Sequence, residues 1–191
     1  MSSTAQNKSD LLTPEAADLM LNEIASRARA AFPDLSRAKP EVKTEALIAA
    51  AAEIRAQSDR ILDANTKDMK EAARNNLAPS MLDRLELDDV RLDGIAKGLE
   101  AVAELPDPVG RVLADWTRPN GLIIQKISVP LGVIGVVYES RPNVTADAGG
   151  LALKSGNCAI LRGGSESSNS STAIVNALRV GISKVGLPKD A

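Results

Sequence analysis

The chain contains no histidine, one cysteine and three aromatic residues among its 191. The lack of histidine removes the commonest general base, any Ser–His or Cys–His couple within the chain, and ordinary His-ligated zinc. A lone cysteine, Cys158, excludes an intrachain disulfide and a thiolate-rich metal site, and suits the reducing cytoplasm. With one Trp, one Tyr and one Phe, the core must be built from Ala, Val, Ile and Leu. No uninterrupted apolar run reaches the roughly 18 residues of a membrane span. Met1 to Asp10 lacks the apolar stretch of a signal peptide, and residues 1–12 read as a disordered tail. A formal net charge of −2 offers no pull toward nucleic acid or an anionic membrane.

What is present is 44% hydrophobic and 25% charged residues, the balance of a globular protein. The length suits one domain, or one and part of another. Residues 13–110 carry helical spacing. Thr13-Pro14-Glu15 is a helix start, with a capping hydroxyl, a first-turn proline and an acid near the positive dipole end. Ala17, Leu21, Ile24, Ala28 and Ala31 follow on one face, and Phe32-Pro33 is expected to end the run. A second helix is expected from Pro40 to about Ala64, with Leu47, Ala51, Ile54 and Ile61 inward and Glu53, Arg55, Asp59 and Arg60 wet. Shorter helices are expected over 67–75, 80–85 and 88–103, separated by Asn75-Asn76, Pro79 and the Leu105-Pro106-Asp107-Pro108-Val109-Gly110 segment.

The second half changes period. Residues 111–116 and 122–129 are short β-type runs around Arg118-Pro119-Asn120-Gly121, a hairpin signal, so 111–130 reads as a hairpin arm. The nearly continuous apolar run over 131–138 suits a strand buried on both faces, hence a parallel sheet. Pro142-Asn143 opens a helix that Ser155-Gly156-Asn157 closes with a glycine suited to the left-handed cap. Cys158-Ala159-Ile160-Leu161 is a second buried strand, Arg162 to Glu166 a glycine-bearing loop, and 168–185 a helix ended by Gly186. The order is one right-handed βαβ crossover plus a further helix. Ligands bind such sheets beyond the carboxyl ends of the strands, which singles out residues 139–143 and 162–169.

The turn after the first strand has no glycine, so the usual G-x-G-x-x-G dinucleotide fingerprint is absent. Arg162 stands about where such folds place an arginine that accommodates a 2′-phosphate. With the N–H groups of Gly163 and Gly164 it could hold that phosphate, and Glu166 could accept from a ribose hydroxyl. The competing reading is a plain βα turn with an exposed arginine. Asn143 is either a helix cap or a donor to a developing oxyanion. Arg141 is either a surface residue or a clamp for a carboxylate or phosphate. Cys158 reads as a small core residue rather than a nucleophile, and Tyr138 and Trp116 as packing.

The stretch Val129-Pro-Leu-Gly-Val-Ile-Gly-Val-Val-Tyr-Glu-Ser-Arg-Pro-Asn-Val-Thr-Ala-Asp147, with Leu153-Lys-Ser-Gly-Asn157 and Ile160-Leu-Arg-Gly-Gly-Ser-Glu166, resembles the γ-glutamyl phosphate reductases. These glutamate-5-semialdehyde dehydrogenases belong to the aldehyde dehydrogenase superfamily. Met81-Leu-Asp-Arg-Leu85, Leu105-Pro-Asp-Pro-Val-Gly110 and Trp116-Thr-Arg-Pro-Asn-Gly121 match the same family, and the similarity runs from about Pro40 to the end. The implied fold is α/β and aldehyde dehydrogenase-like. N-terminal helices and a β-hairpin arm lead into an incomplete Rossmann-type parallel sheet, with 131–191 a truncated NADP-binding βαβα unit.

The implied activity is NADPH-dependent reduction of γ-glutamyl phosphate to glutamate 5-semialdehyde, a step of proline biosynthesis. In the family a cysteine thiolate attacks the acyl phosphate, phosphate leaves, and hydride reduces the thioester. The resemblance makes Arg162, Gly163, Gly164, Ser165 and Glu166 the counterpart of the superfamily's ribose-holding Lys-Pro-Ser-Glu loop, and Asn143 that of its oxyanion-hole asparagine. Residues 111–130 resemble the superfamily's oligomerisation strands, implying a homo-oligomer, and the pathway implies a functional link to glutamate 5-kinase. No residue here matches the family's catalytic cysteine, which lies in a separate downstream domain. The chain therefore reads as an N-terminal portion without activity of its own. Alternatives are a catalytically silent nucleotide-binding or oligomerising module and an aldehyde dehydrogenase of other specificity. An unpaired sheet edge would leave residues 131–161 aggregation-prone or partly molten. Gly149-Gly150, where the family usually has alanines, should weaken their helix by about 1 kcal/mol each.

Overall fold

Thr13 starts the first helix as its residue type demands: its hydroxyl accepts from the Ala16 N–H at 3.2 Å, and α1 runs over Pro14–Ser36. The structure, a computed structural model, describes residues 13–191, so the tail expected over 1–12 lies outside the described residues. Pro33 does not end α1 but sits inside its last turn. The ring removes one bond to the preceding turn, yet the helix runs on past it to Leu35, which is fully buried. The inward face is also shifted, because Ala28, Ala31 and Leu35 are buried whereas Leu21 is 54% exposed.

The expected helix from Pro40 to Ala64 is two helices. Helix α2 spans Pro40–Ala56 and α3 spans Ser58–Arg74, with Gln57 leaving helical geometry between them. Ile54 and Ile61, on either side of the break, both reach the core with no exposure. Asn76 ends the segment at φ 55°, a left-handed position that asparagine tolerates. Helix α4 covers Pro79–Leu85 and α5 covers Asp89–Glu104, the latter capped by Asp88, which accepts from the Arg91 N–H at 2.7 Å. Glu53, expected on the wet side, is instead nearly buried between Gln57 and Lys184. Hydrogen bonds from Lys184 and Gln57 hold its carboxyl below the usual carboxylate range.

Strands β1 (Val112–Thr117) and β2 (Ile123–Ile127) pair antiparallel as the expected hairpin, with Trp116 opposite Ile124. Every residue of β1 is exposed, Trp116 included, so that side chain does not pack as expected. Strands β3 (Val133–Val137) and β4 (Cys158–Arg162) pair parallel, from Val133 opposite Cys158 to Val137 opposite Arg162. Helix α6 (Pro142–Lys154) is the crossover and ends at Gly156 with φ 72°. A short 3₁₀ turn over Ser165–Ser167 leads into α7, Ser168–Lys184. Burial of β3 on both faces is not what forms: Val137 is 83% exposed and Leu131 just before the strand 88%. No described strand flanks β3 on its outer edge, so its pattern reflects cover by helices rather than by a wide sheet.

Helix α2 is the centre, in contact with α5, α6 and α7, while α1 lies against β3 and β4. The core is aliphatic, as the composition requires, with Leu47, Ile54, Leu99, Ile174 and Ala177 nearly or fully enclosed. The two helix glycines differ. A Cβ on Gly149 would make ordinary contact with Leu178 at 3.4 Å, whereas one on Gly150 would meet Leu99 Cδ2 at 2.7 Å. The expected weakening therefore applies to Gly149, and Gly150 has a packing reason.

Candidate functional site

The carboxyl ends of β3 and β4 lie side by side, and the two loops that leave them are bonded together. The Tyr138 N–H donates to the Arg162 carbonyl at 3.0 Å, and the Ser140 hydroxyl donates to Glu166 Oε2. This approach explains both glycines. A Cβ on Gly164 would collide with Ser140 Oγ, and one on Gly163 would come within 3.1 Å of the Tyr138 ring. Tyr138 is anchored by its hydroxyl at 2.7 Å from Thr145 Oγ1, which bears out its packing role. The Ser140 hydrogen bond, a backbone N–H and the nearby Arg162 charge together hold the Glu166 carboxyl below its ordinary range. Glu166 is thus an ionised acceptor with one oxygen not committed to Ser140.

Arg162, Gly163, Gly164 and Ser165 line the mouth of a cleft of about 700 Å³ between α1, β4 and α7. Arg162 is exposed there. The lower part of the cleft reaches Leu47 and Leu99 and is apolar. An exposed guanidinium and a glycine-bearing loop at a part-apolar cleft, with the ionised Glu166 carboxylate in the same loop, suit an anionic, hydroxyl-bearing ligand.

Arg141 and Asn143 face a different cavity, of about 500 Å³, bounded by α4, α5 and the start of α6. Asn143 is not the helix cap that one reading expected. Arg141 occupies the N-cap position without a side-chain capping bond, and Pro142 is the first helical residue. The Asn143 amide instead donates to Asp147 Oδ2 at 3.2 Å, one turn along α6. Burial pushes the Asp147 carboxyl above its ordinary value, partly offset by that bond. The sequence-predicted residues thus fall into two groups, 162–165 at one cavity with Glu166 next to them in the chain, and Arg141 with Asn143 at another.

Cys158 is fully buried in β4, and burial pushes its thiol up to about 11. A thiol in that state is almost wholly protonated at neutral pH and is a poor nucleophile. Labelling of the native chain by a thiol reagent at pH 8 should therefore follow unfolding, with reaction complete only in denaturant. Rapid stoichiometric labelling of the folded chain would contradict the burial. Among the described residues no group of three acidic, cysteine or histidine side chains is placed to hold a metal. No described helix is long and apolar enough to cross a membrane.

Sequence reasoning missed the residues that hold the glycine loop in place. Asp68 of α3 is 2% exposed and accepts from the backbone N–H groups of Asn169 and Ser170 at 3.2 and 2.8 Å. It also accepts from the Asn169 amide at 2.7 Å and the Ser170 hydroxyl at 2.6 Å. Asn65, one turn earlier, donates to the Leu85 carbonyl at 2.8 Å and accepts from the Leu87 N–H at 2.9 Å. A carboxylate at the first turn of α7 satisfies donors that no helix can satisfy internally. Lys43 was also missed: it is 1% exposed and pairs at 2.6 Å with Asp107, fixing the loop between α5 and β1.

No family model matches the chain. It is 54% identical over 181 residues to the γ-glutamyl phosphate reductase of Paramagnetospirillum magneticum, covering 95% of this chain and 43% of that protein. The crystal structure of γ-glutamyl phosphate reductase from Thermotoga maritima superposes with a TM-score of 0.87 at 42% identity. That match covers 89% of this chain and 41% of the other. A probable aldehyde dehydrogenase from Listeria monocytogenes, at 13% identity and a TM-score of 0.64, shares the fold. The chain spans about two fifths of the length of the curated relatives it matches.

Proposed function

Because the chain belongs to the γ-glutamyl phosphate reductase family, we propose that it serves an enzyme that reduces γ-glutamyl phosphate to glutamate 5-semialdehyde. Together with the further length that its relatives possess, it would act in proline biosynthesis in the cytoplasm. The observation that carries the reading is the joined pair of βα loops, with Arg162 at the mouth of one cleft and ionised Glu166, bonded to Ser140, just behind it in the same loop.

The residues at that mouth fit a nicotinamide adenine dinucleotide phosphate. Arg162 would clasp its 2′-phosphate with the Gly163 and Gly164 N–H groups, while Ser165 and Glu166 would meet ribose hydroxyls. Bound there, the cofactor supplies the hydride. Asn143 would donate an amide hydrogen to the acyl oxygen as charge develops on it. The hairpin over 111–130, exposed on β1 and rich in Leu, Ile and Val, would join copies of the protein, and a glutamate 5-kinase would supply the acyl phosphate.

The test is phosphate-dependent reduction of NADP⁺ with glutamate 5-semialdehyde. The chain extended by a relative's remaining length should turn over. The 191-residue chain alone should bind NADPH without turnover, because its one cysteine is buried and protonated. Arg162→Gln in the extended enzyme should raise KM for NADP⁺ about tenfold while leaving that for NAD⁺ little changed. Turnover by the 191 residues alone, or equal loss toward both cofactors, would refute these roles.

A further inference from the structure

The second cavity, bounded by α4, α5 and the start of α6, has three arginines at its edge, and they are not equivalent. Arg91 is committed to the protein: its guanidinium donates to the Asp83 and Glu86 carbonyls and to Asp83 Oδ1. Arg84 and Arg141 approach Glu139 alone, and only loosely. Glu139 Oε2 lies 3.5 Å from Arg84 Nη1 and 3.8 Å from Arg141 Nε, and its side chain is 76% exposed. The Arg141 Nε–H is enclosed by protein and donates to nothing. An enclosed guanidinium N–H without an acceptor is costly, and a planar carboxylate is the group whose geometry satisfies it. Arg141 also stands at the N-cap of α6, where the helix dipole adds to its positive charge.

Asp147, on the first turns of the same α6, also lines the cavity and presents a carboxyl group held by Asn143 at 3.2 Å. Two partly satisfied guanidinium groups and a carboxylate around one polar cavity match a zwitterion. We propose that this cavity seats the amino-acid end of the substrate, with Arg84 and Arg141 clasping its α-carboxylate and Asp147 accepting from its α-ammonium. This rests on the reading that the substrate is an α-amino-acid derivative. Glu139 then marks the place of the substrate carboxylate and swings aside into solvent when it binds. Asn143 gives one amide hydrogen to Asp147 and keeps the other for the acyl oxygen, so the two ends of the substrate are registered along a single turn of α6. An aldehyde or acyl phosphate without the charged end has nothing to meet the arginines, which makes this pair the specificity device.

The experiment is a ¹H–¹⁵N titration of the 191-residue chain with L-glutamine, which keeps the amino-acid end and replaces the reacting acyl group by an amide. The expected result is saturable shifts of the Arg84 and Arg141 Nε–H signals and of the Asn143 amide. 4-Aminobutanamide, which lacks the α-carboxylate, should produce none. Arg84→Gln and Arg141→Gln should each weaken binding about tenfold or more, Arg141→Lys should restore part of it, and Arg37→Gln on the far surface should change nothing. Backbone signals outside the cavity should stay in place in each variant, which separates loss of the site from loss of the fold.

Equal binding of 4-aminobutanamide, unchanged affinity in the two glutamine variants, or shifts produced by inorganic phosphate in place of L-glutamine would overturn the proposal. The reductase assay is an independent readout. Turnover that survives both glutamine variants with an unchanged KM for the aldehyde sinks the seat and leaves the reductase reading standing. Glutamine bound through the arginines in a protein without reductase activity does the reverse.

Discussion

Asp68→Ala should lower the free energy of unfolding by about 3 kcal/mol or more, the sum expected from stranding several buried donors. Four donors converge on that carboxylate, two from the backbone and two from side chains, in a site with almost no solvent. Alanine leaves the Asn169 and Ser170 N–H groups at the first turn of α7 without acceptors. The Ser170 hydroxyl can still serve as acceptor for Asn65, which lies 3.1 Å away, so the loss should fall short of four full bonds. Asp68→Asn keeps the volume and one acceptor but turns an NH₂ toward donors, and should cost somewhat less. Denaturant unfolding checks both, through a lower midpoint at unchanged m value. A loss under about 1 kcal/mol for Asp68→Ala would mean that water replaces the carboxylate and that the cluster is not a buried anchor.

The functional consequence follows from chain order. Asp68 grips Asn169 and Ser170, four residues beyond the glycine loop. The loop's own bonds, Ser140 to Glu166 and Tyr138 to Arg162, act on its other side. In Asp68→Ala the start of α7 keeps only these and the Asn65–Ser170 bond, so NADPH binding should weaken together with stability. Arg162→Gln should weaken binding without altering stability.

Features decided by residue type and near neighbours were legible in the sequence. The cap at Thr13, the hairpin turn at Asn120-Gly121, the left-handed glycine at 156, the helix end at Gly186 and the βαβα order all form as patterning predicts. Features decided by a partner distant in sequence were not. The break at Gln57 has no proline or glycine to announce it, and Ile54 and Ile61, seven residues apart, would share a face of an unbroken helix as well. Glu53 looks like a wet-face acid until Lys184, 131 residues away, is placed beside it. Pro33 shows the converse: a strong local breaker is absorbed in the last turn of α1 because Leu35 beyond it is buried.

The candidate site divides along the same line. Arg162 to Glu166 could be picked out because a βα loop after a parallel strand is a ligand-binding place by topology. Ser140 closes that loop, yet a serine in a loop carries no pattern. Arg84 sits in the short helix α4, and only folding brings it toward Glu139 and Arg141. Asn143 shows how a candidate residue can be given a wrong local role. Arg141 and Pro142 take the capping positions, which frees the Asn143 amide to face Asp147 and the cavity.

Gly181→Ala should be strongly damaging, because the added methyl would meet backbone rather than a movable side chain. Helix propensity alone favours alanine by about 1 kcal/mol, so on an exposed helix the change would stabilise. Here Gly181 is buried where α7 crosses α2. A Cβ would fall inside contact distance of the Ala50 Cα, 2.5 Å from the Ala50 nitrogen and 2.9 Å from the Ala49 carbonyl carbon. These are backbone atoms, and no rotamer change relieves them. The two helices must separate, and with them the contacts of α2 and α7 that enclose Ile54, Ile174 and Ala177. The expected cost is about 3 kcal/mol or more after the propensity gain, at or beyond the usual range for overpacking. Gly149→Ala is the matched control: it adds the same methyl to a helix interior with its nearest neighbour at 3.4 Å, and should stabilise by roughly 0.5–1 kcal/mol. Thermal and denaturant unfolding of the two variants should therefore move in opposite directions. A Gly181→Ala chain as stable as its parent would mean that α2 and α7 do not cross as closely as described, and with that the placement of the cleft between α7 and β4 would fall.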